Sequence, residues 1–438
     1  MTSVVSDNID ALPVVKVAIL GCGNRGTIYS TYALVSDKMK VVAIADHNQT
    51  RLSKIQNDHS IPNDCCHTSW QSLLDAPKVA DAVLVCIHDT EHEQVAVDFA
   101  NKGYHILLEK PMAIDLSGCQ RVYEAVKNNN VMLAVCHVLR YTSYNRKLKQ
   151  IVDSGALGEI VGMQHFEPVG HYHFAHSYVR GNWRNEAESS FSLMTKSCHD
   201  IDIIMYIMGN NCKRVSSFGG LSHFKSEKKP KEAGDAKRCL DCAYESQCPY
   251  SAKKIYLEPA QRGHKGWPLN AVCDVIDIEN IGEALKNGPY GRCVYECDND
   301  VCDNQTVSME FGDNRYASFS MVAFTKEICI RKTRIFGTRG ELVGDGNDSI
   351  EVFDFLTQTS TFHKLDPVEK HLAGHGGGDL GLIKSFVEAV ASKNPDLLLS
   401  DGMSSLDSYV VVFAAEEARR RGKVIDMDDY RKEKGIEY

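Results

Sequence analysis

A short apolar run that ends in three spaced glycines constrains this chain more than any other feature. The run VVKVAIL (14–20) leads directly into Gly21, Gly23 and Gly26, and a helical pattern follows. Glycines spaced in this way permit a tight turn, close approach of the main chain to a pyrophosphate, and close packing of a helix on a strand. The helix N-terminus adds amide donors and a favourable dipole. The pattern therefore predicts a strand–turn–helix unit that binds a dinucleotide.

The next apolar run ends in an acidic residue that indicates which dinucleotide is bound. KVVAIAD (40–46) finishes at Asp46, twenty residues after Gly26. A carboxylate at this position accepts hydrogen bonds from both ribose hydroxyls and repels a 2′-phosphate. We expect NAD(H) to be preferred over NADP(H). The alternative is a glycine turn in an α/β protein that binds nothing.

Three further apolar runs continue the series: DAVLVCI (81–87), YHILL (104–108) and VMLAV (131–135). They are nearly continuously apolar, as expected of strands buried on both faces. Helical stretches at Glu91–Lys102 and Leu116–Lys127 lie between them. This alternation predicts an α/β Rossmann domain over residues 14–137 with a parallel, doubly wound sheet. Residues 1–13 are expected to form a flexible lead-in.

The pattern changes after about residue 158. The segments EIVGMQHF, TVSMEF, YASFSMVAF and CIRKTRIFG alternate in hydrophobicity, which favours half-buried strands of a mostly antiparallel sheet. Helices are expected near 144–154, 198–208, 380–391 and 404–421. We therefore predict a second, α+β domain over 138–438 for substrate binding and oligomerisation. Residues 224–303, with polar stretches and clustered cysteines, are expected to form an insertion in it.

The composition excludes several classes of protein. A net charge of −9 over 438 residues gives no excess of positive charge with which to bind nucleic acid. No apolar run approaches the roughly 20 residues that a membrane span needs. The first residues lack a basic segment followed by an apolar core, so they do not resemble a signal peptide. Most of the 16 cysteines stand singly in apolar segments, and we expect reduced thiols and a cytoplasmic location.

The run YHILLEKPMA places Glu109, Lys110 and Pro111 immediately after a predicted buried strand. Ligands of open α/β sheets bind beyond the carboxyl ends of the strands, so Lys110 is expected to face that cleft. Hydride transfer from an alcohol requires a group that takes the hydroxyl proton, and a lysine can act as that base. The alternative is a surface lysine at the end of a strand.

Several motifs together resemble the glucose–fructose oxidoreductase / inositol dehydrogenase / MocA family. They are GCGNRG, Asp46, IHDTEH (87–92), EKP, CHVLRY (136–141), SCHDIDIIMYIMG (197–209), GHGGGD (374–379) and the near-terminal FAAEEARRRGKV. The resemblance implies an NAD(P) cofactor, a C-terminal domain with a large open sheet, carbohydrate-like substrates and a catalytic Lys110. Homodimers or homotetramers are expected. The cofactor contacts expected in these motifs, besides the three glycines and Asp46, are Asn24, Arg25, His88, His92, Glu109 and Lys110.

SCHDIDIIMYIMG begins like a helix, with Ser197 as a cap and Asp200 completing a capping box. His199 would then lie in the first turn, on the same face as Asp202, and the resemblance implies that His199 has an acid–base or substrate-orienting role. A packing or capping histidine is the alternative. The family pattern has an aspartate four residues before this histidine, whereas this chain has Thr195 there.

Lys196 lies beside that substituted position. We expect Thr195, Lys196 and Asp202 to contact substrate, with Lys196 favouring an anionic sugar; a solvated surface lysine is the alternative. The loop EPVGHYHFAHSYVRGNWRN (167–185) is rich in polar and aromatic side chains that suit a sugar pocket. Packed loop residues, or a metal site at its three histidines, are the alternatives. The remaining predicted substrate contacts are Tyr141, Arg180, Trp183, Arg184 and His375.

The insertion carries clustered cysteines: Cys239, Cys242 and Cys248, followed by Cys293, Cys297 and Cys302. Four thiolates can hold structural zinc, and a metal would help to order a polar insertion that builds little core. The predicted ligands are Cys239, Cys242, Cys248 and Cys293. Reduced thiols, disulfides and an iron–sulfur centre are the alternatives.

The predicted function is NAD(H)-dependent oxidation or reduction at a hydroxyl carbon of a sugar, sugar acid or inositol-like polyol. Two alternatives come from other classes. One is a glycoside hydrolase that uses bound NAD for transient oxidation and elimination, without net formation of NADH. The other is a non-catalytic NAD-binding sensor.

Overall fold

The computed structural model describes residues 12–365 and 374–436, which form two units. Unit 1 comprises Met1–Lys147 and Asp366–Tyr409, and unit 2 comprises Leu148–Leu365 and Val410–Tyr438. The predicted lead-in 1–13 lies almost entirely outside the described residues. Among the residues described, no helix is long and apolar enough to cross a membrane.

The α-helices of the described residues begin and end as follows: α1 (Asn24–Ser30), α2 (Tyr32–Val35), α3 (Gln49–His59), α4 (Trp70–Asp75), α5 (His92–Asn101), α6 (Leu116–Asn128), α7 (Ser143–Asp153), α8 (His171–Phe174), α9 (Ser192–Thr195), α10 (Cys198–Met208), α11 (Glu258–Gln261), α12 (Leu269–Val272), α13 (Ile278–Asn287), α14 (Gly378–Ser392), α15 (Gly402–Arg421) and α16 (Met427–Glu433).

Unit 1 contains a parallel sheet in the strand order β3-β2-β1-β4-β5-β6. Its strands are β1 (Val15–Leu20), β2 (Met39–Ala45), β3 (Cys66–His67), β4 (Ala82–Val85), β5 (His105–Leu108) and β6 (Leu133–Val135). The order reverses between β1 and β4, and ligands of such sheets bind at the carboxyl ends of the strands beside that point. The predicted Rossmann architecture is confirmed; of the strands described in this sheet, the two-residue β3 was not predicted.

Helix α14 belongs to unit 1, although the sequence pattern predicted it within a contiguous second domain over 138–438. Leu382, Ile383 and Phe386 of this helix lie in the same apolar cluster as Val17 and Ile19 of β1. Burial of apolar side chains is the main favourable contribution to folding, so this apolar face associates the helix with unit 1. The sequence pattern identified the helix correctly but not the unit in which it packs.

Unit 2 contains an open sheet in the strand order β14-β13-β12-β11-β7-β10-β9-β8-β15, in which only β7 and β10 pair in parallel among the described strands. The strands are β7 (Ile160–Pro168), β8 (Cys212–Gly220), β9 (Asn304–Phe311), β10 (Arg315–Val322), β11 (Lys332–Gly337), β12 (Gly340–Gly344), β13 (Ser349–Asp354), β14 (Thr359–Lys364) and β15 (Ile425–Asp426). Helix α10 packs against β7 and β10. The predicted α+β domain with a large, mostly antiparallel sheet is confirmed.

The insertion over 224–303 folds into short helices and turns. It has its own apolar cluster, in which Tyr256, Leu269, Ile281 and Leu285 are fully buried. The expectation that this polar segment builds little core is therefore wrong. Its apolar residues are too widely spaced along the chain to give a periodic pattern, but α12 and α13 bring them together.

Candidate functional site

The glycine turn between β1 and α1 has the geometry that a dinucleotide requires. Gly21 has φ +89°, and a Cβ there would collide with the carbonyl oxygen of Cys86. A Cβ at Gly26 would collide with the carbonyl oxygen of Gly21. At Gly23, by contrast, the nearest atom to an added methyl group would be Arg51 Nη1 at 3.7 Å, which leaves space for a phosphate. Helix α1 starts at Asn24 without a side-chain cap, so its first amides suit an anion.

Asp46 is held beside this turn. Its Oδ2 accepts a hydrogen bond from the main-chain N–H of Cys22 at 2.6 Å, and its Oδ1 accepts one from Asn48 at 2.7 Å. A carboxylate has about four lone-pair sites, so both oxygens retain acceptor capacity for ribose hydroxyls. The turn and the acidic residue therefore fit the adenosine half of NAD.

The EKP segment follows β5, as predicted, and Glu109 is buried within unit 1. Glu109 Oε1 accepts hydrogen bonds from Arg25 Nε at 2.6 Å and from the Tyr29 hydroxyl at 2.8 Å, while its Oε2 accepts the main-chain N–H of Lys110 at 3.1 Å. Burial alone would raise the pKa of Glu109, but the Arg25 guanidinium holds it below its usual value. Glu109 is therefore an ionised residue that fixes the main chain at Lys110, which is half-buried.

Arg25 also joins this segment to GHGGGD. Its Nη2 lies 2.6 Å from Oδ1 of Asp379, and Asp379 in turn lies 3.0 Å from His375 Nδ1. Burial would raise the pKa of Asp379, but hydrogen bonding to His375 and the charges of His375 and Arg25 hold it well below its usual value. Arg25 was predicted to contact the cofactor, yet its donors are occupied by Glu109, Asp379 and Tyr29. The roles of Asp379 and Tyr29 were not predicted from the sequence.

The two histidines of IHDTEH, His88 and His92, contact groups of the surrounding loops. His92 is buried, with Nδ1 2.6 Å from the carbonyl oxygen of Pro111 and Nε2 3.2 Å from that of Ile87. Burial lowers the pKa of His92 and favours the neutral ring. His88 Nδ1 lies 2.9 Å from Asp89 Oδ1. The polar atoms of His92, predicted to contact cofactor, support the EKP loop instead, because the buried ring meets main-chain carbonyls on both sides.

Helix α10 of unit 2 begins at Cys198 as predicted, with His199 as its second residue and Asp202 one turn later. The predicted capping box does not form, since Ser197 makes no side-chain cap bond. Asp200 instead accepts hydrogen bonds from Arg331 Nε at 2.9 Å and His165 Nε2 at 3.2 Å. Burial would raise the pKa of Asp200, but Arg331 and His165 hold it well below its usual value.

Lys196 is buried, and its positive charge is paired with a carboxylate. It is 8% exposed, and its Nζ lies 3.1 Å from Glu167 Oε1 and 3.0 Å from Cys329 Sγ. Glu167 also pairs with Arg331 at 2.9 Å. Burial would lower the pKa of Lys196, but Cys329 and Glu167 hold it above its usual value. Because Glu167 neutralises this charge, the expectation that Lys196 selects an anionic substrate is revised. Thr195 is buried one residue before it.

Four other predicted substrate contacts have partners inside their own unit. Arg180 is fully buried and donates from Nε to the carbonyl oxygen of Arg292 and from Nη2 to that of Tyr250, both at 2.8 Å. Arg184 forms ion pairs with Asp298 and Glu188.

Trp183 packs against Tyr178 with ring centroids 6.2 Å apart. In unit 1, the hydroxyl of Tyr141 lies 3.0 Å from Ser400 Oγ. The Arg180 and Tyr141 predictions are corrected to interior roles, because long side chains with polar tips can find main-chain or hydroxyl partners on folding.

The zinc prediction is not supported. In the described part of the chain no three or more His, Cys, Asp or Glu side chains are arranged to hold a metal ion. Cys239 instead contacts the Arg180 guanidinium, with Nη2 3.3 Å from Sγ. Cys242, Cys248 and Cys293 are free thiols, like the other cysteines. The order of the insertion comes from its apolar cluster.

Comparison with known proteins agrees with this architecture. Residues 15–137 match the oxidoreductase family with an NAD-binding Rossmann fold, and residues 149–427 match the C-terminal alpha/beta domain of that family. The chain therefore belongs to the Gfo/Idh/MocA family of NAD-binding oxidoreductases.

Individual relatives are distant in sequence. YteT of Bacillus subtilis strain 168, whose name assigns it only to the oxidoreductases, is 24% identical over 318 residues, 70% of this chain and 72% of that protein. Myo-inositol 2-dehydrogenase of Thermotoga maritima is 25% identical over 208 residues, 47% of this chain and 58% of that enzyme. The chain thus spans little more than half of the latter relative.

Solved structures share the fold over almost the whole chain. Levoglucosan dehydrogenase in complex with NADH and L-sorbose has a TM-score of 0.68 at 18% identity, covering 95% of this chain and 99% of that one. An oxidoreductase from Agrobacterium radiobacter in complex with NAD+, L-tartaric acid and magnesium has a TM-score of 0.67 at 15% identity, with coverage of 95% and 99%. At these identities the likeness establishes the fold alone.

Proposed function

We propose that this NAD-binding oxidoreductase transfers hydride to or from a hydroxyl-bearing carbon of a carbohydrate or inositol-like polyol. The observation that carries the proposal is the Arg25–Glu109 ion pair, because it fixes the main chain of a half-buried lysine at the carboxyl end of β5. The names of relatives, which include a myo-inositol dehydrogenase and a glucose-6-phosphate 3-dehydrogenase, support the substrate class.

Lys110 is the proposed proton-transfer residue. NAD, when bound, would accept or donate the hydride at C4 of its nicotinamide ring. In the oxidation direction the neutral amine of Lys110 takes the hydroxyl proton as the C–H hydride leaves, and in the reduction direction its ammonium returns that proton. Glu109 is a positioning residue, since it holds the lysine through the main chain rather than touching the reacting atoms.

His199 is the proposed proton-transfer or substrate-orienting group of unit 2. It occupies the first turn of α10, at the positive end of the helix dipole. A neutral imidazole carries one donor and one acceptor, which suits a vicinal pair of sugar hydroxyls. Asp202 lies on the same face of the helix.

Further features of the proposal follow from the sequence. Asp46 favours NAD(H) over NADP(H), and the substrate is a small molecule rather than nucleic acid or a membrane surface. His375 is retained as a substrate contact, since its ring is half-exposed beside Asp379. A cytoplasmic location and a homodimer or homotetramer remain predictions.

The test is a screen for NADH formation with NAD+ and a panel of glucose, glucuronate, glucose 6-phosphate, levoglucosan, myo-inositol and methyl glucosides. The expected result is saturable NADH formation with at least one of them. Cleavage of a glycoside without net NADH would instead assign the hydrolase alternative. NAD binding with no turnover of either kind would favour a sensor.

A further inference from the structure

The insertion of unit 2 presents a tryptophan beside the polar aromatic loop 167–185. The Trp267 ring contacts three side chains of that loop: centroids are 4.8 Å from His173, 5.3 Å from His176 and 6.0 Å from Tyr172. Loop and insertion are far apart in sequence, so this aromatic surface exists only in the folded unit.

Trp267 is held in place by buried neighbours, but it is itself partly exposed to solvent. Leu269, two residues later, is fully buried in the apolar cluster of the insertion, together with Tyr256. His176 is also interior, stacked on Tyr290 at 4.8 Å and bonded to the Tyr256 hydroxyl at 2.9 Å. Trp267, which meets the His176 ring edge-on, nevertheless remains partly open to solvent, since the residue is 36% exposed. An anchored aromatic face of this kind is preorganised to receive a flat ligand.

Polar groups at the edge of the surface indicate the chemistry of that ligand. Within the residues described, neither the indole N–H of Trp267 nor the hydroxyl of Tyr172 forms a hydrogen bond. Tyrosine and tryptophan combine an apolar ring with a polar tip, and such tips find partners when they are covered. A pyranose ring matches this combination, because it offers an apolar C–H face and a rim of hydroxyls. A purely apolar partner would bury both tips without partners, at a cost.

Contacts inside unit 2 join this surface to the start of α10. His173 Nδ1 lies 3.4 Å from Cys329 Sγ, and the same sulfur lies 3.0 Å from Lys196 Nζ. Lys196 directly precedes Ser197, the N-cap of the helix that carries His199. The aromatic surface is therefore close to the helix start at which a substrate hydroxyl is proposed to be held.

The charged groups between this surface and the start of α10 compensate one another. Lys196, whose Nζ contacts Cys329 Sγ, is neutralised by Glu167, and Arg331 is shared between Glu167 and Asp200. The network leaves no excess positive charge to attract a carboxylate or a phosphate.

We propose that Trp267 and Tyr172 form a second sugar position, which stacks a neutral pyranose ring of a glycoside or disaccharide whose other ring reacts. This inference rests on the proposed function and specifies its substrate class. It assigns the insertion a role in substrate selection, since the insertion contributes the stacking ring.

The experiment compares disaccharide and monosaccharide binding by calorimetry. The protein is saturated with NADH, so that no oxidation accompanies binding, and is titrated with maltose, cellobiose, methyl glucosides, glucose and myo-inositol. Trp267→Ala is expected to weaken binding of the best disaccharide or glycoside about tenfold, and binding of glucose or myo-inositol less than twofold, because only the stacked ring is lost. Trp267→Phe is expected to retain most of the affinity, since a ring remains.

The matched control is Trp70→Ala, a tryptophan of unit 1 that donates to Glu91. It is expected to leave all sugar affinities unchanged, and thermal unfolding checks that each variant is folded. A second readout is intrinsic fluorescence: the change induced by the disaccharide is expected to disappear in Trp267→Phe and to persist in Trp70→Phe.

Equal losses for one-ring and two-ring ligands in Trp267→Ala, or no loss, would overturn the second sugar position. So would failure of every two-ring ligand to bind more tightly than glucose. These outcomes are separable from failure of the proposed function, which is read from NADH formation by the unaltered enzyme with any member of the panel.

Discussion

Arg25 and Asp379, 354 positions apart in the chain, form a two-point ion pair in which Nη2 lies 2.6 Å from Oδ1 and Nη1 lies 3.3 Å from Oδ2. The same guanidinium pairs with Glu109, so one arginine of the glycine turn holds both the EKP segment and the GHGGGD segment. The proposed cofactor turn and the proposed catalytic lysine thus share a single buried support within unit 1.

Asp379→Asn tests this support. The change keeps the shape of the side chain but removes its charge, and breaking a buried ion pair costs about 3–5 kcal/mol of the free energy of unfolding. The measurement is urea denaturation. The matched control is Asp58→Asn, which breaks the exposed Lys54–Asp58 pair of α3 and is expected to cost less than about 0.5 kcal/mol. Equal effects of the two changes would contradict the inferred support.

Acid is expected to weaken the same network. The folded-state pKa values of Glu109 and Asp379 are depressed. Their contribution to the free energy of unfolding is therefore complete above the unfolded-state pKa values of about 4. It is lost as the pH falls through the folded-state pKa values. Denaturation curves between about pH 5 and pH 3 should show a falling free energy of unfolding, with a shallower slope in Asp379→Asn than in the unaltered protein. Parallel slopes would exclude Asp379 as a contributor.

Asp46→Ser tests cofactor selection. Loss of the carboxylate should weaken NAD(H) binding about 10- to 100-fold, because charge-assisted hydrogen bonds contribute about 1.5–3 kcal/mol, and should improve NADP(H) binding relative to NAD(H). Fluorescence titration with NADH and NADPH measures both affinities, with Asp58→Ser as the control. Equal or tighter NADPH binding by the unaltered protein would refute the assignment.

Lys110→Ala tests the proton-transfer role. Turnover with the best substrate of the panel should fall about 10²-fold or more, since general acid–base steps contribute about that much. NADH affinity should be nearly unchanged. Lys127→Ala, which removes an exposed lysine of α6, should leave turnover unchanged. Near-normal turnover of Lys110→Ala would remove this lysine from the mechanism.

Lys196→Met tests the revised role of Lys196. Loss of the ammonium leaves Glu167 with Arg331 alone, so the free energy of unfolding should fall by about 3 kcal/mol. The ratio of kcat/KM for a hexuronate to that for its parent hexose should stay within twofold, because Lys196 already has an internal counter-ion. A ratio that drops tenfold would restore the original hypothesis that Lys196 contacts an anionic substrate.

Local sequence patterns were sufficient to predict much of the fold of unit 1. The apolar run before Gly21, the spacing to Asp46 and the strand before Glu109 each depend on residues that are neighbours in sequence, and the structure places them as expected. Helix α10 was predicted with its correct bounds for the same reason.

Side-chain partners could not be predicted in this way. The Ser197 capping box was expected from its spacing, but Asp200 is bound by Arg331, just before β11, and by His165 of β7. Arg180 was assigned to substrate from the composition of its loop, whereas the insertion supplies its carbonyl partners.

Hydrophobic periodicity and glycine spacing, which are properties of short segments, determine the Rossmann half, the change to an antiparallel sheet and the family motifs of this chain. Pairings between distant segments decide the rest: Asp379 with Arg25, Glu167 with Lys196, and Trp267 with His173. An ion pair or a ring contact leaves no periodic signature in sequence, since each partner alone resembles any charged or aromatic residue. Only the folded chain brings such partners within contact distance and so determines which charges are neutralised and which ring stays open.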